Sequence, residues 1–476
     1  MEKIIGRDKE QIQLKRILQS KDAELVAVYG RRRVGKTFLI RNFFVKDLLF
    51  ELSGIHNATL DQQLENFTIA ISKSSGFNLA RPGSWLQAFN MLENYLTPII
   101  KKQKKVIFFD EFPWINSPRS GFLQAFENFW NVWASRQNNI VVVLCGSAAA
   151  WMIQNVINNR GGLHNRVTAK IRLLPFTINE AATLLREKKI LLNEYQILQL
   201  YMVMGGIPQY LKEIQTGESA TQAIDRICFT KDGFLHEEFK NLFRSIFDDS
   251  DNHMAIVRAL AKKGKGLTRT EIIVACDLSS GGGTTQLLEE LTESGFISSY
   301  IPFDRTVKDN IYRLTDEYSH FYLKFIEGSK IKGRGAWTKF STGQSYKSWS
   351  GFAFENICMK HEHQLKKVLG IENVHTETSV WRYHPKKGEQ GAQIDLLIDR
   401  QDMCINICEM KFSTTEFEIT KAYSKELENK LKIFRQNTKT HKTLFITMVT
   451  TFGVKNFDKH SGLVQNQITI ESLFKA

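Results

Sequence analysis

Cysteine is scarce and dispersed in this chain: the six residues, at 145, 228, 276, 358, 404 and 408, show no C-x-x-C zinc spacing and no secreted disulfide framework. Buried thiols in a reducing compartment are expected. Uncharged apolar runs of membrane-spanning length, roughly 20 residues, are also missing. The opening stretch MEKIIGRDKE is too charged for the apolar segment of a signal peptide. These absences point to a cytoplasmic protein with no membrane partner. Metal-binding histidine patterns are lacking as well, since His361 and His363 do not have H-E-x-x-H spacing and are expected to be solvated. Acidic residues are outnumbered, 50 against 64 Lys and Arg, and the formal charge of +14 favours a polyanionic partner such as nucleic acid, DNA first.

What is present suits several packed cores. A chain of 476 residues, 42% hydrophobic and 24% charged, is globular in composition and long enough for about three domains. Its organising stretch is Leu25 to Ile40, an apolar run broken at Gly30 and resumed after Thr37. Gly30, Gly35, Lys36 and Thr37 satisfy G-x-x-x-x-G-K-[ST] between a strand and a helix, where backbone N–H groups wrap an anion at a helix start. Arg31, Arg32, Arg33 and Val34 complete the loop. Lys36 would place charge on the β- and γ-phosphates of ATP, and the Thr37 hydroxyl would ligate Mg²⁺.

A second buried strand, Val106 to Phe109, ends in paired carboxylates. Carboxyl ends of such strands collect ligand-binding residues, so Asp110 would reach Mg²⁺ through water and Glu111 would polarise the attacking water. A third run, 139–147, ends at Ser147, placed either to sense the γ-phosphate or lytic water or to make a turn. Arg160 and Arg166 flank a Gly-Gly turn before a strand expected over 167–174, with Arg166 the better candidate to stabilise transition-state charge. Ahead of the loop, Ile12, Leu14, Ile17 and Leu18 are spaced for an amphipathic helix.

The set formed by the phosphate loop, Asp110-Glu111-Phe112-Pro113, Gly146-Ser147, Arg166 and Met204-Gly-Gly-Ile-Pro208 resembles the archaeal-type AAA+ ATPases related to the STAND class. The resemblance implies an α/β P-loop core followed by a helical lid, with Gly205, Gly206 and Pro208 near the nucleotide. From the residues alone, the Gly-Gly-x-Pro stretch is a helix-breaking turn. Ser147 stands where many such relatives have asparagine, and no second-sensor arginine is evident.

Three short helices, at 256–260, 267–273 and 283–291, followed by strand candidates 296–303 and 310–314, make a winged-helix pattern. Glu289, Glu290 and Glu293 on the third helix repel phosphate, which favours domain packing over base readout. The stretch 321–349 interleaves six cations with Phe325, Trp337, Phe340, Tyr346 and Trp349. Either these rings stack on bases, or they are core beneath solvated lysines.

In the last third, strands are expected at 378–383, 392–398, 403–411 and 443–449, with a helix over 420–436. Glu409 and Lys411 share one face of their strand, and a hairpin brings Asp395 across from them. Glu355, from the preceding helix, could complete a hard-oxygen site for Mg²⁺ or Mn²⁺. The order Glu355, Asp395, Glu409-x-Lys411 is similar to the PD-(D/E)xK nuclease superfamily, with Ile394 in place of its proline. That resemblance implies phosphodiester cleavage by these four residues.

The expected architecture is multidomain α/β. It comprises a P-loop AAA+ core (1–174), helical lid (175–247), winged-helix-like segment (248–318), basic aromatic linker (319–349) and a restriction-endonuclease-like domain (350–476). The leading expectation is an ATPase coupled to a metal-dependent nuclease, with self-association left open. The alternative is a nucleotide-dependent switch that binds DNA or a protein through a non-cleaving C-terminal domain.

Overall fold

Runs such as Leu25–Val28 and Val141–Leu144 are apolar at every position, which suits strands covered on both faces rather than one. In the computed structural model, which describes residues 2–100, 103–159, 161–247, 249–383, 385 and 390–475, they form one parallel sheet. Its strands are β1 (Glu24–Tyr29), β2 (Leu48–Ser53), β3 (Lys105–Asp110), β4 (Ile140–Gly146) and β5 (Ala169–Arg172), in the order β2-β3-β4-β1-β5. Helices Leu60–Ser75 and Trp85–Leu96 supply Phe67, Trp85 and Phe89 to an aromatic cluster with Phe109, Phe112, Phe122, Phe126 and Phe129. Parallel connections put the carboxyl ends of β1, β3 and β4 on one edge, and this edge carries the site. The chain divides here into two compact units, residues 1–175 and 176–476.

The second unit opens with helices Ile178–Glu187 and Glu194–Met204. The first is capped by Thr177 and Glu180, whose side chains reciprocally bond each other's backbone N–H. Helices Asp251–Lys262, Arg269–Cys276 and Gly282–Glu293 then accompany a three-stranded antiparallel sheet, β6 (Leu267–Thr268), β7 (Ile297–Tyr300) and β8 (Ile311–Leu314), in the order β6-β8-β7. Glu290 accepts from His253 Nε2 at 2.7 Å, so this acidic helix turns at least one carboxylate onto a neighbouring helix.

The stretch 321–349 does not offer its aromatics to bases. Phe321, Phe325, Trp337 and Trp349 are buried, with ring centroids 5.2 Å apart for Phe321–Trp337 and 5.3 Å for Phe325–Trp349, while Lys324, Lys330, Lys332, Arg334, Lys339 and Lys347 are exposed. Burial of the rings against one another offsets more free energy than solvated stacking platforms would. The boundary expected at 349/350 falls inside a continuous helix, Gln344–Lys360.

The carboxyl-terminal sheet is mixed: β9 (Thr376–Tyr383), β10 (Ala392–Arg400), β11 (Cys404–Lys411), β12 (Thr443–Thr450) and β13 (Val464–Thr469), in the order β13-β12-β11-β10-β9. β9, β10 and β11 pair antiparallel, and β11, β12 and β13 pair parallel. Helix Lys421–Thr438 packs Leu427, Leu431 and Phe434 on this sheet. All six cysteines are free thiols. Among the described residues no helix is long and apolar enough to cross a membrane.

Candidate functional site

Two glycine positions shape the phosphate loop. Gly30 has φ 142°, and a Cβ there would stand 2.3 Å from the Leu173 carbonyl oxygen; Gly35 has φ 93°. Arg33, between them, also takes a left-handed conformation, φ 71°. Lys36 is buried and its Nζ donates to the Gly30 and Arg31 carbonyls at 2.9 and 3.0 Å, which places its ammonium inside the curve of the loop. Arg31 and Val34 are buried, and Arg32 lies over the Trp114 ring at 5.9 Å.

The expected acids meet this loop at the sheet edge. Thr37 Oγ1 donates to Asp110 Oδ2 at 2.8 Å, and the Glu111 amide donates to Asp110 Oδ1 at 3.1 Å. Burial pushes the Asp110 carboxyl above its usual range, opposed by the Thr37 bond. A hydroxyl and a carboxylate bonded to each other are hard-oxygen donors of the kind Mg²⁺ takes alongside water and phosphate oxygens, so these residues fit that ion. Glu111 adopts φ 44°, ψ 49°, a strained conformation for a non-glycine residue, and its Oε2 accepts from both the amide and hydroxyl of Ser147, at 3.1 and 2.7 Å. Ser147 thus positions the candidate base, a role the residue type alone did not specify.

Two expectations change. Arg166 is exposed in the turn before β5, at the end of the sheet where β1 begins, since the Thr168 amide donates to Leu25 O at 2.9 Å. The phosphate loop leaves the opposite end of β1, roughly 16 Å away at strand rise, so Arg166 cannot serve this chain's own loop. Arg160 lies outside the described residues. The other change is an addition: Arg7 is buried, caps the helix Asp8–Gln19 with φ 61°, and donates from Nη2 to Val34 O at 3.1 Å. The only sequence signal for it was a charged residue beside Gly6 just before the helix. Within that helix Leu14 and Ile17 are buried, whereas Ile12 is exposed.

Gly205, Gly206 and Pro208 belong to the second unit, where packing accounts for them. A Cβ on Gly206 would stand 1.8 Å from Phe176 O, and Pro208 starts the helix Pro208–Leu211. Nearby, His361 is buried rather than solvated. Its Nδ1 bonds the Ile357 carbonyl at 2.8 Å, and its Nε2 accepts from the Ile178 amide at 3.1 Å, so burial holds it neutral; His363 is exposed.

In the carboxyl-terminal sheet, β10 and β11 pair Leu396 with Cys408, so the next position in this register sets Asp395 opposite Glu409. Glu409 is 0% exposed, and its two oxygens accept from Lys430 Nζ at 2.8 and 2.9 Å. The Tyr423 hydroxyl donates to it at 3.2 Å, while Lys411 stands off at 3.8 Å over the Tyr423 ring. A buried carboxylate needs such a countercharge; Lys430 and Tyr423, two turns apart on one helix, supply it and were not anticipated. Asp395 accepts from Gln393 Nε2 at 2.8 Å. Glu355 pairs with Arg313; burial, working against that guanidinium, pushes its carboxyl up to about 7.

Glu355, Asp395 and Glu409 therefore share one neighbourhood without forming the expected metal shell. Among the described residues no three His, Cys, Asp or Glu side chains converge to hold an ion. One oxygen of Glu355 and both oxygens of Glu409 are taken by cations, so the set as arranged does not fit a three-carboxylate metal centre.

A phosphate loop on a parallel β2-β3-β4-β1-β5 sheet, with Asp-Glu at the end of the strand next but one, defines a P-loop ATPase core. Residues 5–214 match a family described as ATPase domain predominantly from Archaea, and this part of the chain is an archaeal-type ATPase domain. The whole chain is similar to an uncharacterized protein of Methanocaldococcus jannaschii, 23% identical over 435 residues, covering 90% of this chain and 92% of that protein. In structure it is similar to the Walker-type ATPase of Pyrococcus abyssi, with TM-score 0.48 and 18% identity over 67% of this chain and 96% of the other. It is also similar to the ORC2 protein of Aeropyrum pernix, with TM-score 0.42 and 15% identity over 72% and 96%.

Proposed function

We propose that this protein hydrolyses ATP at its amino-terminal site and uses the nucleotide state to control nucleic-acid binding by its second unit. One observation carries the ATPase reading: Thr37 and Glu111 are both held, by Asp110 and Ser147 respectively, at the sheet edge that carries the phosphate loop. Mg²⁺ would supply charge neutralisation at the phosphates, held by Thr37 and, through water, by Asp110. Lys36 balances charge on the phosphates, and Glu111 accepts the proton of the attacking water. Gly205, Gly206 and Pro208 are assigned to the nucleotide-responsive lid. The excess of cations, +14 overall, supports a nucleic-acid partner, with DNA first and self-association compatible. The test is phosphate release with MgATP: Lys36→Ala and Glu111→Gln should both lose turnover, and unchanged rates in either would overturn the assignment.

A second reading, phosphodiester cleavage involving Glu355, Asp395, Glu409 and Lys411 with Mg²⁺ or Mn²⁺, is favoured by a carboxylate at 0% exposure on the strand beside Asp395. Because cations occupy Glu355 and Glu409, it requires those pairs to open first. Plasmid incubated with either metal, with and without ATP, decides it. Cutting abolished by Asp395→Ala supports cleavage, whereas cutting indifferent to that substitution excludes this site.

A further inference from the structure

A cleft of about 1130 Å³ in the second unit is walled by the turn before β6 (Gly264, Lys265), by Arg313 of β8, by Glu355 and Phe352 of the helix Gln344–Lys360, and by β9–β10 and the helix Lys421–Thr438. Lys265 from the turn, Arg382 from β9, and Lys425 and Lys430 from the helix Lys421–Thr438 face it. Arg313 is unusual among these cations because it is 3% exposed. Its Nη2 donates to Glu355 Oε1, its Nη1 reaches only the Met359 sulfur at 3.3 Å, and its Nε has no hydrogen-bond partner among the described residues. Phe352 lies 5.1 Å beneath the guanidinium. Phe352, Glu355 and Met359 lie on successive turns of one helix, so the guanidinium fork rests across that helix with much of its donor capacity unused.

We propose that Arg313 is a phosphate-receiving residue: a phosphodiester of a nucleic-acid strand entering this cleft takes over its guanidinium and releases Glu355. A buried arginine with an unsatisfied N–H gains by exchanging a single carboxylate bond for the paired bonds a phosphate accepts. The flanking cations of the cleft, Lys265, Arg382 and Lys425, supply the attraction that brings the strand in. Glu355, once released, is left beside Asp395. Arg313 would thereby couple occupancy of the cleft to the state of the acids. The inference rests on the reading that the second unit handles nucleic acid.

The test is fluorescence anisotropy of the full-length protein with fluorescein-labelled oligothymidylate and, separately, oligouridylate, at pH 8 in EDTA and without ATP, so that neither cleavage nor turnover contributes. Glu355→Gln, which removes the competing charge, should tighten binding about fivefold. Arg313→Gln should weaken it about tenfold, and Arg313→Lys should fall between that variant and wild type. An ion pair that serves only the fold would move both positions in the same direction. Wild-type binding with neither variant displaced, or with both weakened, overturns the inference alone. Absence of wild-type binding overturns the nucleic-acid reading together with it. If Arg313→Gln does not fold, Glu355→Gln decides: unchanged or weaker binding refutes the exchange.

Discussion

Ser147 grips Glu111 through one carboxylate oxygen, with its amide and its hydroxyl both donating to Oε2, and among the described residues Oε1 accepts no protein hydrogen bond. Oε1 is thus the oxygen left to face an attacking water. Ser147→Ala removes the 2.7 Å hydroxyl bond and keeps the amide. Turnover should fall about tenfold, the worth of one charge-assisted hydrogen bond lost from an oriented base, with KM for ATP unchanged. Steady-state phosphate release over a range of ATP concentrations checks this. A raised KM at unchanged kcat would instead place Ser147 on the nucleotide.

The closeness of Gly30 to Leu173 gives a prediction about the fold. An alanine at 30 would set its Cβ 2.3 Å from a backbone oxygen at φ 142°, and neither strand can yield without opening the β1–β5 pairing. Gly30→Ala should cost about 3 kcal/mol or more and lower the first melting transition. At Gly35 nothing lies within 4 Å of the added carbon, so Gly35→Ala should carry only the smaller backbone strain of about 1–2 kcal/mol. Equal melting losses for the two variants would contradict this packing.

What could be read from the chain depended on how local the cause was. The loop, Asp110 and Glu111 were legible because an apolar run interrupted by turn chemistry carries its own boundaries. β2 was not, since Leu48–Ser53 has uneven burial and Glu51 interrupts its apolar run, and β13 hides in the polar run Val464–Thr469. The direction of Arg166 was missed although parallel pairing alone sets it: a residue just ahead of a parallel strand sits at the edge where its neighbour begins. The rings of 321–349 pose a different problem, because an aromatic that stacks on a base and one that stacks on Trp337 have the same residue type. Lys430 lies 21 residues from Glu409, and only the fold brings that pairing about.

His361 gives a pH prediction with a definite sign. Burial lowers its pKa to about 4, below the value near 6.5 of an unfolded histidine, so its contribution to stability is present above about 6.5 and is lost as pH falls through about 4. The loss sums to about 3 kcal/mol at 1.36 kcal/mol per unit. Glu355 acts in the opposite sense: burial raises it to about 7, so its contribution is present below about 4.5 and is lost as pH rises through about 7. The wild-type profile mixes the two, and the informative quantity is a difference. The gap in urea unfolding free energy between wild type and His361→Gln should narrow as pH falls from above 6.5 towards 4. A constant gap would mean that His361 titrates in the folded state as it does in the unfolded chain.

Lys430, rather than Lys411, is the countercharge of Glu409, and this can be tested by stability alone. Lys430→Met leaves a carboxylate at 0% exposure with only the Tyr423 bond and a lysine 3.8 Å away, and should cost about 3–5 kcal/mol. Adding Glu409→Gln removes the stranded charge while keeping an acceptor for Tyr423, so the double variant should recover most of that loss. Lys411→Met removes a partly exposed cation and should cost no more than about 1 kcal/mol. Urea unfolding of wild type, Lys430→Met, Glu409→Gln and the double variant yields the coupling energy, with Lys411→Met measured beside them. A Lys411 substitution more damaging than the Lys430 one would reverse the assignment and return Lys411 to the acid it was first expected to serve.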